Sequence, residues 1–198
     1  MKDLLVLLAP GFEEVEALSV VDIARRAHLK VDIAGTKHEP TCRVEGAHGI
    51  MVEADVHFDD VQDQQYRAVY IPGGMGGSTH LAAHAGVLRY LKAHARDTYI
   101  AAICAGPMVL EAAGLTADIA GTHYPGLEDA IHYKDRPEGL VIRDGRIITS
   151  MGPATAPVLG LYLVKLLKGE KAYAALKDDI LVPQLLAGLD QGNVFVEV

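Results

Sequence analysis

The stretch Thr98–Leu115, TYIAAICAGPMVLEAAGL, decides the fold. Its opening run, Tyr99–Ile103, is apolar and rich in isoleucine, and it is short enough to read as a buried central strand. Its second half, Pro107–Ala113, has the apolar pattern of a helix, with proline at the start and Gly114 just past the end. Cys104, Ala105 and Gly106 lie between them, so Cys104 falls at a sharp strand-to-helix turn. The N–H groups and positive dipole end of the helix favour thiolate there. Ala105 and Gly106 are small enough for a tight turn and for a substrate to approach the backbone. The stretch reads as a nucleophile elbow carrying cysteine.

Outward from this element the chain alternates strands and helices. Leu4–Leu8 is an apolar run of the kind found in parallel strands buried on both faces, Lys30–Ala34 is the next strand, and Arg67–Ile71 is a third, buried strand. Glu13–Ala27 is an amphipathic helix with Glu13, Glu14 and Glu16 in its first turn, where acids are favourable. Thr41–Val44 and Gly49–Val52 form a small hairpin turned around Gly46–Gly49. A helix is expected from about Ser78 to Ala95, with Ser78 or Thr79 as its N-cap. Ile119–Gly121 is a short strand candidate, and Thr122–Tyr133 a loop with one helical turn. Asp144-Gly145 joins Leu140–Ile142 to Arg146–Thr149 as a hairpin, and Pro153–Leu167 is an apolar helix stopped near Gly169. Beyond Lys171 the chain is helix-prone at first, then irregular after Pro183. This rhythm predicts an α/β fold: a flavodoxin-like three-layer sandwich, mostly parallel, with helices on both faces and a small β-hairpin. Residues 1–198 read as one domain. The loops Pro10–Glu16, Gly73–Gly77 and Cys104–Pro107 converge at the carboxyl ends of the strands.

Composition narrows the function. A formal net charge of −8 and the lack of a basic run argue against nucleic acid or an anionic membrane as partner. The apolar run Leu4–Ala9 is too short for a signal peptide or a span. Two cysteines, Cys42 and Cys104, make neither a disulfide scaffold nor a C-x-x-C pair, so a cytoplasmic location is the expectation. Cys42, at the start of a hairpin strand, reads as structural.

The segments APGFEEVEA, IPGGMGG, AAICAGP, GTHYPG and ITSMGPATA, in this order, resemble the ThiJ/PfpI superfamily in its DJ-one clade. The likeness covers nearly the whole chain and weakens after about Tyr173. By position it implies Cys104 as nucleophile, Glu16 as partner carboxyl and His123 as the nearby histidine. Gly73 and Gly74 lie in the matching loop, and the resemblance implies an oxyanion hole from the N–H groups of Gly74 and Ala105. It further implies a homodimer, here expected through the first helix and the hairpin, no cofactor, and glyoxalase, deglycase and chaperone-like activities. Where relatives often carry arginine, this chain has His48 and Met151, and the hairpin cysteine of several relatives is Gly46.

Read on their own, the residues leave alternatives. Glu16 is either a solvated helix-end acid, as Glu13 and Glu14 are expected to be, or a carboxyl projecting over the strand ends towards Cys104. In the second case two anions at contact repel, the Glu16 pKa rises, and a protonated Glu16 hydrogen-bonds to thiolate or sulfinate. His80 and His84, four apart on the expected helix, lack the glutamate of a zinc-protease motif, and no metal is expected. Gly73-Gly74-Met75-Gly76-Gly77 lacks both P-loop and dinucleotide spacing, and a glutamate-rich neighbour would repel pyrophosphate. The expected function is a cofactor-independent cysteine enzyme turning small aldehydes or dicarbonyls over, methylglyoxal to lactate. The rivals that the resemblance implies are a redox-sensing or chaperone-like stress protein with an oxidisable Cys104, and a PfpI-type cysteine peptidase, weakened because the family resembled has no consistent acid behind the histidine that His123 matches.

Overall fold

The computed structural model describes residues 2–36 and 42–191. Seven strands make the main sheet: β1 (Lys2–Leu8), β2 (Val31–Gly35), β5 (Val56–His57), β6 (Tyr66–Ile71), β7 (Tyr99–Ile103), β8 (Val141–Asp144) and β9 (Ile147–Ser150). Their order is β5-β2-β1-β6-β7-β9-β8, and every neighbouring pair is parallel except β8 with β9. A separate antiparallel hairpin pairs β3 (Arg43–Glu45) with β4 (Met51–Glu53) in the register Val44↔Val52. The expected Thr41 start of that hairpin lies outside the described residues.

The strands are apolar on both faces because both faces are covered. Leu4, Val6 and Leu8 of β1 join one buried cluster, with Val20 and Ile23 of α1 (Glu14–Arg26) and Leu159 and Leu163 of α5 (Ala156–Lys168). Leu5, Leu7 and Ala9 join the other, with Leu81, Val87 and Leu91 of α2 (Met75–Ala83) and α3 (Ala85–His94) and Leu110 of α4 (Pro107–Ala112). Strand alternation thus sorts one run into two cores, giving three layers. No helix among the described residues is long and apolar enough to cross a membrane.

Local differences from expectation have identifiable causes. The helix expected at Ser78–Ala95 begins earlier, at Met75, with Gly74 as N-cap, and breaks at His84. The backbone of His84 is extended, and its ring accepts the Val87 N–H (3.2 Å), which caps α3. His80 instead bonds the carbonyls of Gly76 and Pro10, so the two rings do not form a chelating pair. Ile119–Gly121 makes only one isolated bridge, Ala120 to Asp135, and in the helical turn that follows the Ala130 and Ile131 N–H groups both donate to Leu127 O. Beyond Lys168, α6 (Glu170–Asp179) is followed by α7 (Val182–Gln191), not irregular chain. Pro183 sits in its first turn, where a missing N–H costs nothing.

Candidate active site

Cys104 occupies the elbow between β7 and α4 with φ +61°, a left-handed backbone that non-glycine residues rarely adopt. Two backbone bonds hold it there. Its N–H donates to Ser150 O (3.1 Å) at the end of β9, and its carbonyl accepts from Tyr124 N–H (3.1 Å). The side chain is partly buried, and the N–H groups of Ala105 and Gly74 point at the sulfur.

Glu16 is fully buried beneath it. It sits in the first turn of α1, where its own N–H is capped by Glu13 Oε2 (2.6 Å) and its carbonyl accepts from the buried Tyr70 hydroxyl (3.0 Å). Glu16 Oε2 accepts from Gly73 N–H (2.7 Å), whereas Oε1 has no such partner. Gly73 separates the two reactive groups. A Cβ there would lie 2.5 Å from Glu16 Oε2 and 2.6 Å from Cys104 Cβ, so only glycine fits. Burial pushes the Glu16 carboxyl up to about 7 against the pull of the Gly73 N–H. Burial and the Glu16 carboxylate likewise push the Cys104 thiol up, against the Ala105 and Gly74 N–H groups.

Of the two groups expected to favour thiolate, the helix end contributes less than its position suggests. The following helix has six residues, and its first residue, Pro107, has no N–H. Two anions at contact repel, so a negative charge on one group disfavours a negative charge on the other. With the proton on Glu16, the carboxyl becomes a donor beside the sulfur, and thiolate is favoured.

His123 is 1% exposed and lies next to Tyr124, hence one residue from the bond to Cys104 O. Its Nδ1 meets Tyr124 O (2.8 Å); a carbonyl only accepts, so Nδ1 carries the proton and Nε2 keeps a lone pair. Nε2 is buried without a partner, and the ring stacks on Tyr133 at 5.8 Å. A carbonyl, not a carboxylate, therefore orients this histidine.

Glu13 and Glu14 are not the solvated acids expected at the start of α1. Glu14 is 3% exposed and bonds the His48 N–H (2.6 Å) and ring (2.7 Å), tying the hairpin to the helix. Gly46 leaves the space that Glu14 fills; a Cβ there would meet its Oε1 at 2.3 Å. The glycine run also has a plainer use than cradling phosphate. Cβ atoms at Gly74 and Gly77 would meet Gly11 O at 2.3 Å and Phe12 Cα at 2.8 Å, so these glycines let two loops touch. Tyr70, Ser150 and Glu14 escaped sequence reasoning, because each acts through a partner far away in the chain.

Fold and site together define an α/β protein with a cysteine elbow set over a buried acid. A sequence profile of the DJ-1/PfpI family matches residues 2–166, and the chain belongs to that family. It is 37% identical to the zebrafish (Danio rerio) Parkinson disease protein 7 homolog, over 91% of this chain and 97% of that protein. It is 38% identical to the glutathione-independent glyoxalase DJR-1.2 of Caenorhabditis elegans, over 89% and 95%. Among solved structures, Drosophila melanogaster DJ-1beta superposes with a TM-score of 0.86 at 32% identity, covering 91% and 97%. Oxidized Toxoplasma gondii DJ-1 superposes at 0.85 with 34% identity, covering 91% and 98%.

Proposed function

We propose that this protein is a glutathione-independent glyoxalase, with deglycase-type action on early adducts of the same dicarbonyls, in which Cys104 is the nucleophile. The observation that carries the reading is the half-buried Cys104 set against the fully buried Glu16, with two N–H groups converging on the sulfur. The thiolate adds to the aldehyde carbon of methylglyoxal, and the N–H groups of Gly74 and Ala105 hold the resulting oxyanion. Protonation gives a hemithioacetal. The C1 proton is then removed and a proton delivered to C2 through an enediol, with Glu16 and the His123 Nε2 lone pair as the carriers. The product is a lactoyl thioester, and one water hydrolyses it to lactate and restores the thiol. No outside oxidant or reductant is required, because C1 is oxidised as C2 is reduced. The similarity to a glutathione-independent glyoxalase over most of both chains supports the reading. The test is lactate formation from methylglyoxal without glutathione; no lactate from wild type, or as much from Cys104→Ala, rejects it.

A second reading, oxidation of Cys104 to sulfinate in a sensing or chaperone-like role, is favoured by the N–H groups around the sulfur and by an oxidized solved relative. Intact mass under peroxide titration, against Cys104→Ser, separates it from turnover. The peptidase reading draws no support, since His123 is oriented by a carbonyl. A homodimer through α1 and the hairpin belongs to the proposal, supported by exposed Val15, Leu18, Ile50 and Met51. So does a cytoplasmic location, supported by two free cysteines.

A further inference from the structure

A buried histidine that carries protons needs its ring held in one plane, and His123 has little of its own to hold it. The hydrogen bond from Nδ1 runs to the carbonyl of the very next residue, Tyr124, and leaves the ring able to turn. Nε2 is buried without a partner, so no second bond stops that rotation. The face of the ring is held instead. Tyr133 stacks against it with centroids 5.8 Å apart and planes 19° from parallel.

Tyr133 is itself fixed along its length. Its hydroxyl donates to Thr122 O (3.1 Å), and its ring lies on Gly121, where a Cβ would come within 2.4 Å of Cε1. The loop on either side is bonded to the segment that leads into His123. Lys134 N–H donates to Ile119 O (2.9 Å), and Gly121 N–H donates to Asp135 O (3.0 Å). Tyr133 therefore spans Gly121, Thr122 and His123, and cannot slide without losing all three contacts. One residue earlier, the loop is clasped to the helix that follows the cysteine. His132 N–H donates to Glu111 Oε2 (3.0 Å), and the His132 ring Nδ1 meets Glu111 Oε1 (3.1 Å). Glu111 belongs to α4 and also accepts from the Thr116 hydroxyl. A carboxylate thus stands behind His123 at one remove: it holds the loop, and the loop holds the imidazole.

We propose that Tyr133 is the positioning residue of His123, its ring fixing the plane of the imidazole and so the direction of the Nε2 lone pair, and that the Glu111–His132 clasp registers Tyr133 to the cysteine elbow. The proposal rests on the glyoxalase reading for its turnover arm alone, since ring geometry is read without substrate. Imidazole 15N–1H spectra, assigned with His123→Gln, report tautomer and ring order. Wild type is expected to show one sharp, Nδ1-protonated His123 pattern. In Tyr133→Leu that pattern broadens into a mixture of tautomers, and Tyr133→Phe, which keeps the stack, restores it. Gly121→Ala, which drives the tyrosine ring from its place, behaves as Tyr133→Leu does. Cys104 alkylation by iodoacetamide is expected to stay within twofold of wild type throughout, because the elbow itself is untouched. In turnover of methylglyoxal, Tyr133→Leu is expected to lose at least tenfold in kcat with KM within twofold. Tyr133→Phe loses less than threefold, and Glu111→Ala several-fold in kcat alone.

His123 signals that match wild type in both Tyr133→Leu and Gly121→Ala overturn the proposal. So does an equal loss in Tyr133→Phe and Tyr133→Leu, or a larger change in alkylation across all the variants, which would make the effect a general loosening. Altered His123 signals with no lactate even from wild type reject the glyoxalase reading and leave the positioning role standing.

Discussion

At the scale of single residues, Glu16 and Gly73 carry the most consequence. Glu16 titrates near 7 in the folded chain against an ordinary value of 4.5, because burial favours its neutral form. A raised folded value means the stability tied to the neutral acid is complete below about pH 4.5 and is lost as pH climbs through about 7. The loss from this one group is about 3 kcal/mol. Glu16→Gln keeps an acceptor for the Gly73 N–H but cannot ionise. Urea unfolding at pH 4.5 and pH 8 is therefore expected to show a smaller drop in the variant than in wild type. An identical drop in both would mean that Glu16 ionises freely when folded. Gly73→Ala places a methyl where Glu16 and Cys104 already are. It is expected to cost about 1–3 kcal/mol and to cut lactate formation at least a hundredfold, seen by thermal melts and by product assay.

Elements, more than single side chains, decide where the acid of the pair sits. The first turn of α1 does three jobs: Glu13 caps the helix, Glu14 fastens the hairpin, and Glu16 turns inward to Gly73. Glu14→Ala would leave the His48 N–H without its acceptor and a void beside Gly46. The expected cost is about 1–3 kcal/mol, with faster amide exchange at His48 than in β1 or β7. Unchanged exchange at His48 would show that the hairpin holds without this clasp. The same scale explains why the first turn was misread from sequence. Three glutamates at a helix start look alike, since acids are favourable there whatever they contact. Only the packing of the hairpin and the glycine loop against that turn distinguishes the three.

At the scale of the whole molecule, exposed apolar residues gather on α1 and the hairpin. Val15 and Leu18 on α1 and Ile50 and Met51 on the hairpin are neighbours of the Glu14 clasp. If they form the proposed self-association surface, Leu18→Glu halves the mass seen in sedimentation velocity while leaving the fold intact by circular dichroism. A dimer that persists in this variant would place the contact elsewhere. Leu185, Leu186 and Leu189 of α7 are each 56–58% exposed. In a monomeric background, replacing them with lysine is expected to change stability by less than about 0.5 kcal/mol, since little packing is lost. Sequence alone was sufficient for the layered α/β architecture, the elbow at Cys104 and the hairpins at Gly46–Gly49 and Asp144-Gly145. Those features follow from local periodicity and turn chemistry, which need no distant partner. Tertiary structure alone decided that Glu16 is buried, that Glu14 is engaged with the hairpin, and that burial and the neighbouring carboxylate raise the Cys104 thiol. Each of these depends on desolvation and contact between segments tens of residues apart, and such energies exist only once the chain has closed on itself.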